Sequence, residues 1–289
     1  MSLLTHVIKA LEKIAPLSLA HTKWDNVGLL VEPPYPRSSA TSVFLTIDLT
    51  PIVLEEAIST PSVGMIVAYH PPIFHAFKQL NLNDTKQSIV LKCIAEGISV
   101  YSPHTAIDCS VGGVNDWLAK GLGSGTSISL MPRHEEAGAG RLFTLEEPVS
   151  LSTVVKRIKN HLKLKHGKYK SIIDKYDDKD NNNDLGIRVA TAEKHRHNDG
   201  LISTIGICAG SGVSVLSPAK ADLYFTGEMS HHEVLAALAK DTSEHTNTER
   251  GYLSEVLKPK LEKLLKEDGD NQKVDILVSQ SDKDPLEII

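Results

Sequence analysis

With 289 residues, 41% of them apolar and 23% charged, the chain can bury a sizeable core and suits one large or two modest domains. Its net charge of -5 argues against a general nucleic-acid-binding surface, and no apolar run approaches the ~18 residues that span a membrane. Three widely separated cysteines, Cys93, Cys109 and Cys208, argue against a disulfide framework or a Cys-based zinc site and fit a reducing compartment.

Leu3, Leu4, Val7, Ile8, Leu11 and Ile14 recur at helical spacing until Pro16. The first residues carry no signal-peptide pattern, so a cytoplasmic protein is the default expectation, with nuclear or mitochondrial location left open. A polar loop follows, holding Trp24-Asp25-Asn26-Val27-Gly28-Leu29-Leu30. Residues 43–47 read as a strand, and Pro51 opens a short helix at its first-turn position. The apolar run 64–68 reads as a buried strand and leads into Tyr69-His70-Pro71-Pro72-Ile73-Phe74. Proline cannot donate to a strand ladder, so Pro71 and Pro72 end the strand. His70 is left at its carboxyl end, where open α/β sheets usually hold ligands. From the residues alone it is a metal ligand, a catalytic base or an ordinary loop histidine.

Asp84 or Thr85 caps a helix with Ile89, Val90, Cys93 and Ile94 on one face, ended by Gly97. Residues 98–101 form the next strand, followed by Pro103-His104-Thr105-Ala106-Ile107-Asp108 and a Gly112-Gly113 pair before a helix with Trp117 and Leu118. This alternation predicts a largely parallel sheet covered by helices. The second half repeats the habit. Residues 142–145 read as a strand, Ser150 or Ser152 caps a helix, and 187–190 and 202–208 are strands. The Asp/Asn-rich tract within 166–184 is a polar surface insertion. Helices are expected at roughly 231–240 and 248–267, with a last strand at 274–278. The simplest reading is an α/β fold of two similar lobes, 1–125 and 126–289, with the C-terminal segment able to pack back on the first.

Thirteen histidines favour metal or proton chemistry. His104 and Asp108, four apart, either project to one side of a helical turn or satisfy loop amides. Ala209-Gly210-Ser211-Gly212 opens a helix where free N–H groups can hold an anion, but it lacks GxGxxG spacing and a P-loop lysine. A tight turn that needs glycine is the other reading. His245 and Glu249, spaced i, i+4 at the start of the last helix, suit zinc, iron or manganese, or form a surface pair. Glu228, His231 and His232 share that ambiguity, and the adjacent histidines would point ~100° apart on a helix. His70, Asp108 and the 228–249 region all fall at or just after predicted strand ends. Nitrogen and oxygen ligands without sulfur are what a two-metal hydrolytic site requires.

WDNVGLL at 24–30, YHPPIF at 69–74, HTAID at 104–108, GGVNDWLA at 112–119, AGSG at 209–212, LYFTGEMSHHEVL at 223–235 and HTNTERGYL at 245–253 together resemble the NIF3 family. That family is named for NGG1-interacting factor 3 and is also known as the DUF34 group; the YHPPIF and TGEMSHHEVL forms resemble its eukaryotic branch. The resemblance implies two α/β lobes facing a central cleft, a homohexamer of three dimers, and a dinuclear site for Zn, Fe or Mn. It implies His70, Asp108, His245 and Glu249 as ligands. Tyr69 stands where the family has its first histidine, so one metal position is expected to be weak, empty or completed by His104, giving one or two ions per chain. The region 123–200 is too short for the middle domain of some bacterial members. By resemblance the activity is a metal-dependent hydrolase of a nucleotide-like or phosphorylated small molecule, carrying a GTP cyclohydrolase 1 type 2 label. Glu228, His231 or His232 would then carry protons. The alternatives are a protein-interaction factor that binds a transcription adaptor, or a metal-trafficking protein with no substrate.

Overall fold

The computed structural model describes residues 2–163, 189–196, 200–240, 243–245, 249–267 and 273–283. The expected insertion at 166–184 lies outside the described residues, as does the first half of the strand expected at 187–190. Two compact units are present: Met1–Val114 with Arg133–Gly138 and Arg250–Lys283, and Asn115–Pro132 with Ala139–Glu249 and Asp284–Ile289. Among the described residues, no helix is long and apolar enough to cross a membrane.

In the first unit the chain runs α1 (Leu3–Ile14), β1 (Gly28–Val31), β2 (Ser42–Thr46), α2 (Pro51–Ile58), β3 (Val63–Ala68), α3 (Thr85–Ala95), β4 (Ser99–Ser102) and α4 (His104–Cys109). The helix starts follow the side-chain chemistry of capping. Asp84 accepts from the Gln87 amide at 2.9 Å, and Thr50 caps α2 ahead of Pro51, whose missing N–H costs nothing in a first turn. The sheet order is β1-β4-β3-β2, completed beyond β2 by β11 (Asp275–Val278). The β4-β3, β3-β2 and β2-β11 pairs are parallel, and β1 alone runs antiparallel. The expected largely parallel sheet is therefore present. Phe44, Val53, Leu54, Ile66, Val90 and Val100 pack its core. Burial pushes the Cys93 thiol in that core up to about 12, which makes it unreactive at neutral pH.

Gly113 shows how tightly the turn after α4 is drawn. A Cβ there would lie 1.9 Å from the Ile107 carbonyl oxygen and 2.8 Å from that of Ser110, both fixed backbone. Gly113→Ala is expected to destabilise the chain at or above the upper end of the roughly 1–3 kcal/mol typical of overpacking. Urea unfolding measures it; an unchanged midpoint and slope would show that the turn can relax.

The second unit contains α5 (Val114–Lys120), β5 (Gly125–His134), β6 (Ala137–Ser150), α6 (Leu151–Leu162), β7 (Val189–Ala190), α7 (Glu193–Arg196), β8 (Leu201–Ser211), α8 (Val213–Leu216), β9 (Leu223–Glu228), α9 (His231–Leu238) and β10 (Ser243–His245). Val114 itself, and the tip of the β5–β6 hairpin, fall in the first unit. The sheet order is β5-β6-β8-β9-β10-β7, with β8-β9 and β9-β10 parallel. The long β5 and β6 strands go well beyond the expected 142–145. The Ala137-Gly138-Ala139-Gly140 tract of β6 is buried but has poor strand propensity, and β5 is mostly exposed, so neither reads as a strand of β-branched or aromatic residues.

The last helical stretch also differs from expectation. It consists of α10 (Arg250–Tyr252), a π-helical segment at Leu253–Leu257, and α11 (Lys258–Glu267). Pro259 removes an amide donor from that stretch, and a π turn immediately before it absorbs the mismatch.

Candidate functional site

Parallel register in the first sheet determines which residues meet. Thr46 pairs with Ala68, and the ladder then continues past the strands: Tyr69 N–H donates to Thr46 O at 2.9 Å and His70 N–H to Ile47 O at 3.0 Å. Asp48 and His70 therefore emerge side by side at the carboxyl ends of β2 and β3. The next parallel strand, β4, ends at Ser102, whose hydroxyl donates to Tyr69 O at 2.8 Å, and releases His104 and Asp108 on α4. Three adjacent strand ends thus carry Asp48, the Tyr69-His70 pair and the His104–Asp108 turn, the rim where α/β sheets present their chemistry.

His70 Nδ1 lies 2.9 Å from Asp48 Oδ1. Arg250 holds the other carboxylate oxygen at 3.4 Å and is itself fixed by Asp282 at 2.6 Å and by the Lys283 carbonyl at 2.8 Å. The hydrogen bond with His70, reinforced by the Arg250 charge, outweighs burial and holds the Asp48 carboxyl below the usual range. An anionic Asp48 accepts Nδ1–H, and this tautomer puts the His70 lone pair on Nε2.

Tyr69 is buried, and its hydroxyl donates to Asp108 Oδ1 at 2.6 Å. Tyr69, expected to stand in place of a first ligating histidine, thus acts as a hydrogen-bond donor to the neighbouring carboxylate. His104 is not a spare ligand left loose in a loop. Its Nδ1 lies 2.7 Å from Oδ1 of Asp25, whose side chain is fully buried. Asp25 also accepts from the Asn26 amide at 2.8 Å, from the Thr105 amide at 3.3 Å and from the Thr105 hydroxyl. His104 adopts a left-handed backbone, φ 28°, which is uncommon for a non-glycine residue. Its ring centroid is 5.5 Å from that of His70 and 5.7 Å from that of Tyr69.

The second unit gathers a different set. Gly210, at φ 62°, donates its amide to Glu249 Oε1 at 2.6 Å. The Ala209 amide donates to Asn115 at 2.8 Å and the Gly212 amide to Thr226 at 3.1 Å. The glycine turn therefore spends its amides on the protein's own acceptors, among them a carboxylate. His245 belongs to β10, paired with Phe225 of β9 and Val189 of β7, rather than to a helix. The i, i+4 face expected for His245 and Glu249 is absent because the first of the two completes a ladder and the helix starts only at Arg250. Glu228 ends β9, and His231 and His232 open α9; all three are exposed, with the two imidazole centroids 5.8 Å apart.

Of the expected ligands, the structure brings together His70 and Asp108, with Tyr69 and His104 beside them, in the first unit. Among the described residues, no group of three or more His, Cys, Asp or Glu side chains is arranged to hold a metal. The donor chemistry nevertheless fits a borderline divalent ion. His70 has the outer carboxylate that ligating histidines almost always use, and Asp108 is oriented by a phenol donor. Asp48, Asp25 and Arg250 were missed from sequence. Asp48 had a signal, since it follows the 43–47 strand as His70 follows 64–68. Asp25 lies within WDNVGLL at 24–30, where its spacing suggests no role, and Arg250 meets Asp48 across 202 positions of sequence.

A family model described as "Duf34/NIF3 (NGG1p interacting factor 3)" matches residues 2–285. A "Protein NIF3 homolog" of Schizosaccharomyces pombe is 43% identical, covering 96% of this chain and 95% of that protein. The "NGG1-interacting factor 3" of Saccharomyces cerevisiae is 34% identical, covering 99% and 96%. A crystal structure of a Bacillus cereus protein related to NIF3 superposes with a TM-score of 0.76 over 99% of this chain and 98% of that one; at 20% identity it attests to the fold alone. The matched span, the identities and the shared two-sheet α/β architecture agree, and the chain belongs to the NIF3 family.

Proposed function

We propose that this chain is a divalent-metal-dependent hydrolase acting on a nucleotide-like or phosphorylated small molecule, with His70 and Asp108 of the first unit as metal ligands. The observation that carries the reading is the Asp48–His70 pair, with the carboxylate placed as an outer partner of a ligating imidazole. When bound, Zn, Fe or Mn would lower the pKa of a coordinated water and polarise the bond it attacks. Asp48 fixes the His70 tautomer, Arg250 keeps Asp48 in place, and Tyr69 orients Asp108 through its hydroxyl. Proton carriage falls to His104, oriented by Asp25.

Elemental analysis and turnover test this together. Tyr69 donates to Asp108 where a second imidazole would ligate, so no more than about one tightly held ion per chain is expected. Metal-loaded protein screened against nucleotides and phosphate esters should show turnover that Asp108→Ala abolishes. Two tightly bound ions per chain would refute the occupancy, and turnover indifferent to Asp108→Ala would refute the site.

A second reading takes its support from the name of the yeast relative, NGG1-interacting factor 3. It makes the chain a partner of a transcription-adaptor protein. Capture of such a partner that survives joint loss of His70 and Asp108 would separate this role from the metal site.

A further inference from the structure

Trp24 is the large aromatic of this neighbourhood that the hydrolase reading leaves unused. It remains 55% exposed although its ring is contacted on several sides. The His21 imidazole stacks on it with centroids 5.3 Å apart and planes 24° from parallel. Phe74 approaches at 6.2 Å and His104 meets it edge-on at 6.3 Å. An indole held this way presents a fixed, half-open apolar surface next to the His70 and Asp108 rim.

The loop beneath it is tied down at every step. Trp24 and Asp25 amides both donate to the His21 carbonyl, at 3.1 and 3.0 Å. The His21 amide donates to the Thr105 hydroxyl at 3.0 Å, and the Asn26 side chain donates to the Ile73 carbonyl at 2.6 Å. Asp25 joins the loop to His104 and Thr105. Arg133 adds charge at the edge: its guanidinium donates to the Ala20 carbonyl at 2.8 Å and to His21 Nδ1 at 2.6 Å. As an acceptor at Nδ1, His21 is neutral, and burial together with the Arg133 charge lowers its pKa. A neutral imidazole stacked under an indole, with an exposed guanidinium beside them, suits a planar, uncharged ring with an anionic group attached to it.

We propose that Trp24, backed by His21, is the subsite that stacks the planar heteroaromatic ring of an anionic small molecule, with Arg133 on its charged side. This deepens the hydrolase reading by naming the recognised part of its substrate and rests on the same small-molecule rim. Base-on-indole stacking is strong enough to matter and tolerant of which base is offered, so purine monophosphates are suitable probes. The pre-tied loop removes much of the ordering cost of binding. The chain's net charge of -5 favours a single nucleotide over a nucleic-acid strand.

The experiment is a titration of the full chain with AMP and GMP in the presence of EDTA, with ribose 5-phosphate as a ringless control. Of the two tryptophans, Trp117 is 4% exposed, so acrylamide quenching reports mainly on Trp24. The expected result is a saturable emission change and protection from acrylamide with both nucleotides and with neither for ribose 5-phosphate. By calorimetry Trp24→Ala should weaken binding about tenfold to a hundredfold, while Trp24→Phe stays within about threefold. The proposal is overturned if the wild-type chain shows no saturable response, if ribose 5-phosphate binds equally, or if Trp24→Ala keeps full affinity. It is also overturned if Trp24 emission depends on protein concentration and not on nucleotide, since a second copy then covers the indole. The wild-type acrylamide comparison needs no variant. Because turnover is not measured, a missing hydrolase activity and a missing ring subsite are seen separately.

Discussion

Replacement of Asp48 by asparagine is expected to weaken divalent-metal binding by about 10- to 100-fold, the usual loss when the outer partner of a ligating histidine is altered. Asparagine keeps the size of the side chain and can still accept Nδ1–H through its carbonyl, so the imidazole stays roughly in place. What is lost is the negative charge that raises the basicity of the ligating Nε2 and the anchor for Arg250. Asp48→Ala removes orientation as well and should lose at least as much. Neither change should cost much stability, because both partners of the pair are more than a third exposed and such pairs contribute about 0–1 kcal/mol. Calorimetric titration with zinc, beside a thermal melt, reads both quantities. An unaltered zinc affinity in folded Asp48→Asn protein would mean that His70 does not ligate through Nε2.

The pairing of Asp48 with His70 also shows how much of the site was legible in the sequence. His70 could be placed at a strand end because Pro71 and Pro72 stop the ladder, and the structure puts it there. Pro51 at its first-turn position gave the start of α2, and capping residues gave those of α3 and α6, for the same local reason. Partners were another matter. That Thr46 stands opposite Ala68, and hence Asp48 beside His70, is a fact of strand register, which no local pattern contains. Arg250 reaches Asp48 from far along the chain because β11 adds to the edge beside β2 and draws Asp282 to the Ile47 amide at 2.7 Å. The i, i+4 spacing of His245 and Glu249 pointed to a helix, and the demand of β9 for a ladder partner won. Local signals located side chains; sheet pairing decided what each one touches.

Asp25→Ala is expected to destabilise the chain by about 3–5 kcal/mol, the range seen when one partner of a buried charged pair is removed. The contrast with Asp48 lies in burial. The Asp25 side chain has no solvent contact, and four donors converge on it: the His104 imidazole, the Thr105 hydroxyl, and the Asn26 and Thr105 amides. Alanine leaves all four without that acceptor, and water cannot replace it without opening the loop. Asp25→Asn keeps one acceptor oxygen but turns an NH2 group toward donors, so it should cost less than alanine and still more than 1 kcal/mol. The pH dependence separates charge from packing. Burial alone would raise the Asp25 carboxyl, but the hydrogen bonds from His104 and Thr105 outweigh it and the folded pKa is lowered. A carboxyl with a lowered folded pKa contributes stability that is complete above its unfolded pKa of about 3.9 and is lost as pH falls through the folded value. The gap in unfolding free energy between wild type and Asp25→Asn should therefore be constant from pH 7 to about 5 and shrink below about 4. Urea titrations across that range measure it. A gap that stays constant to pH 3 would assign Asp25 a purely steric role, and the loop that carries Trp24 would then owe its position to packing rather than to a buried anion.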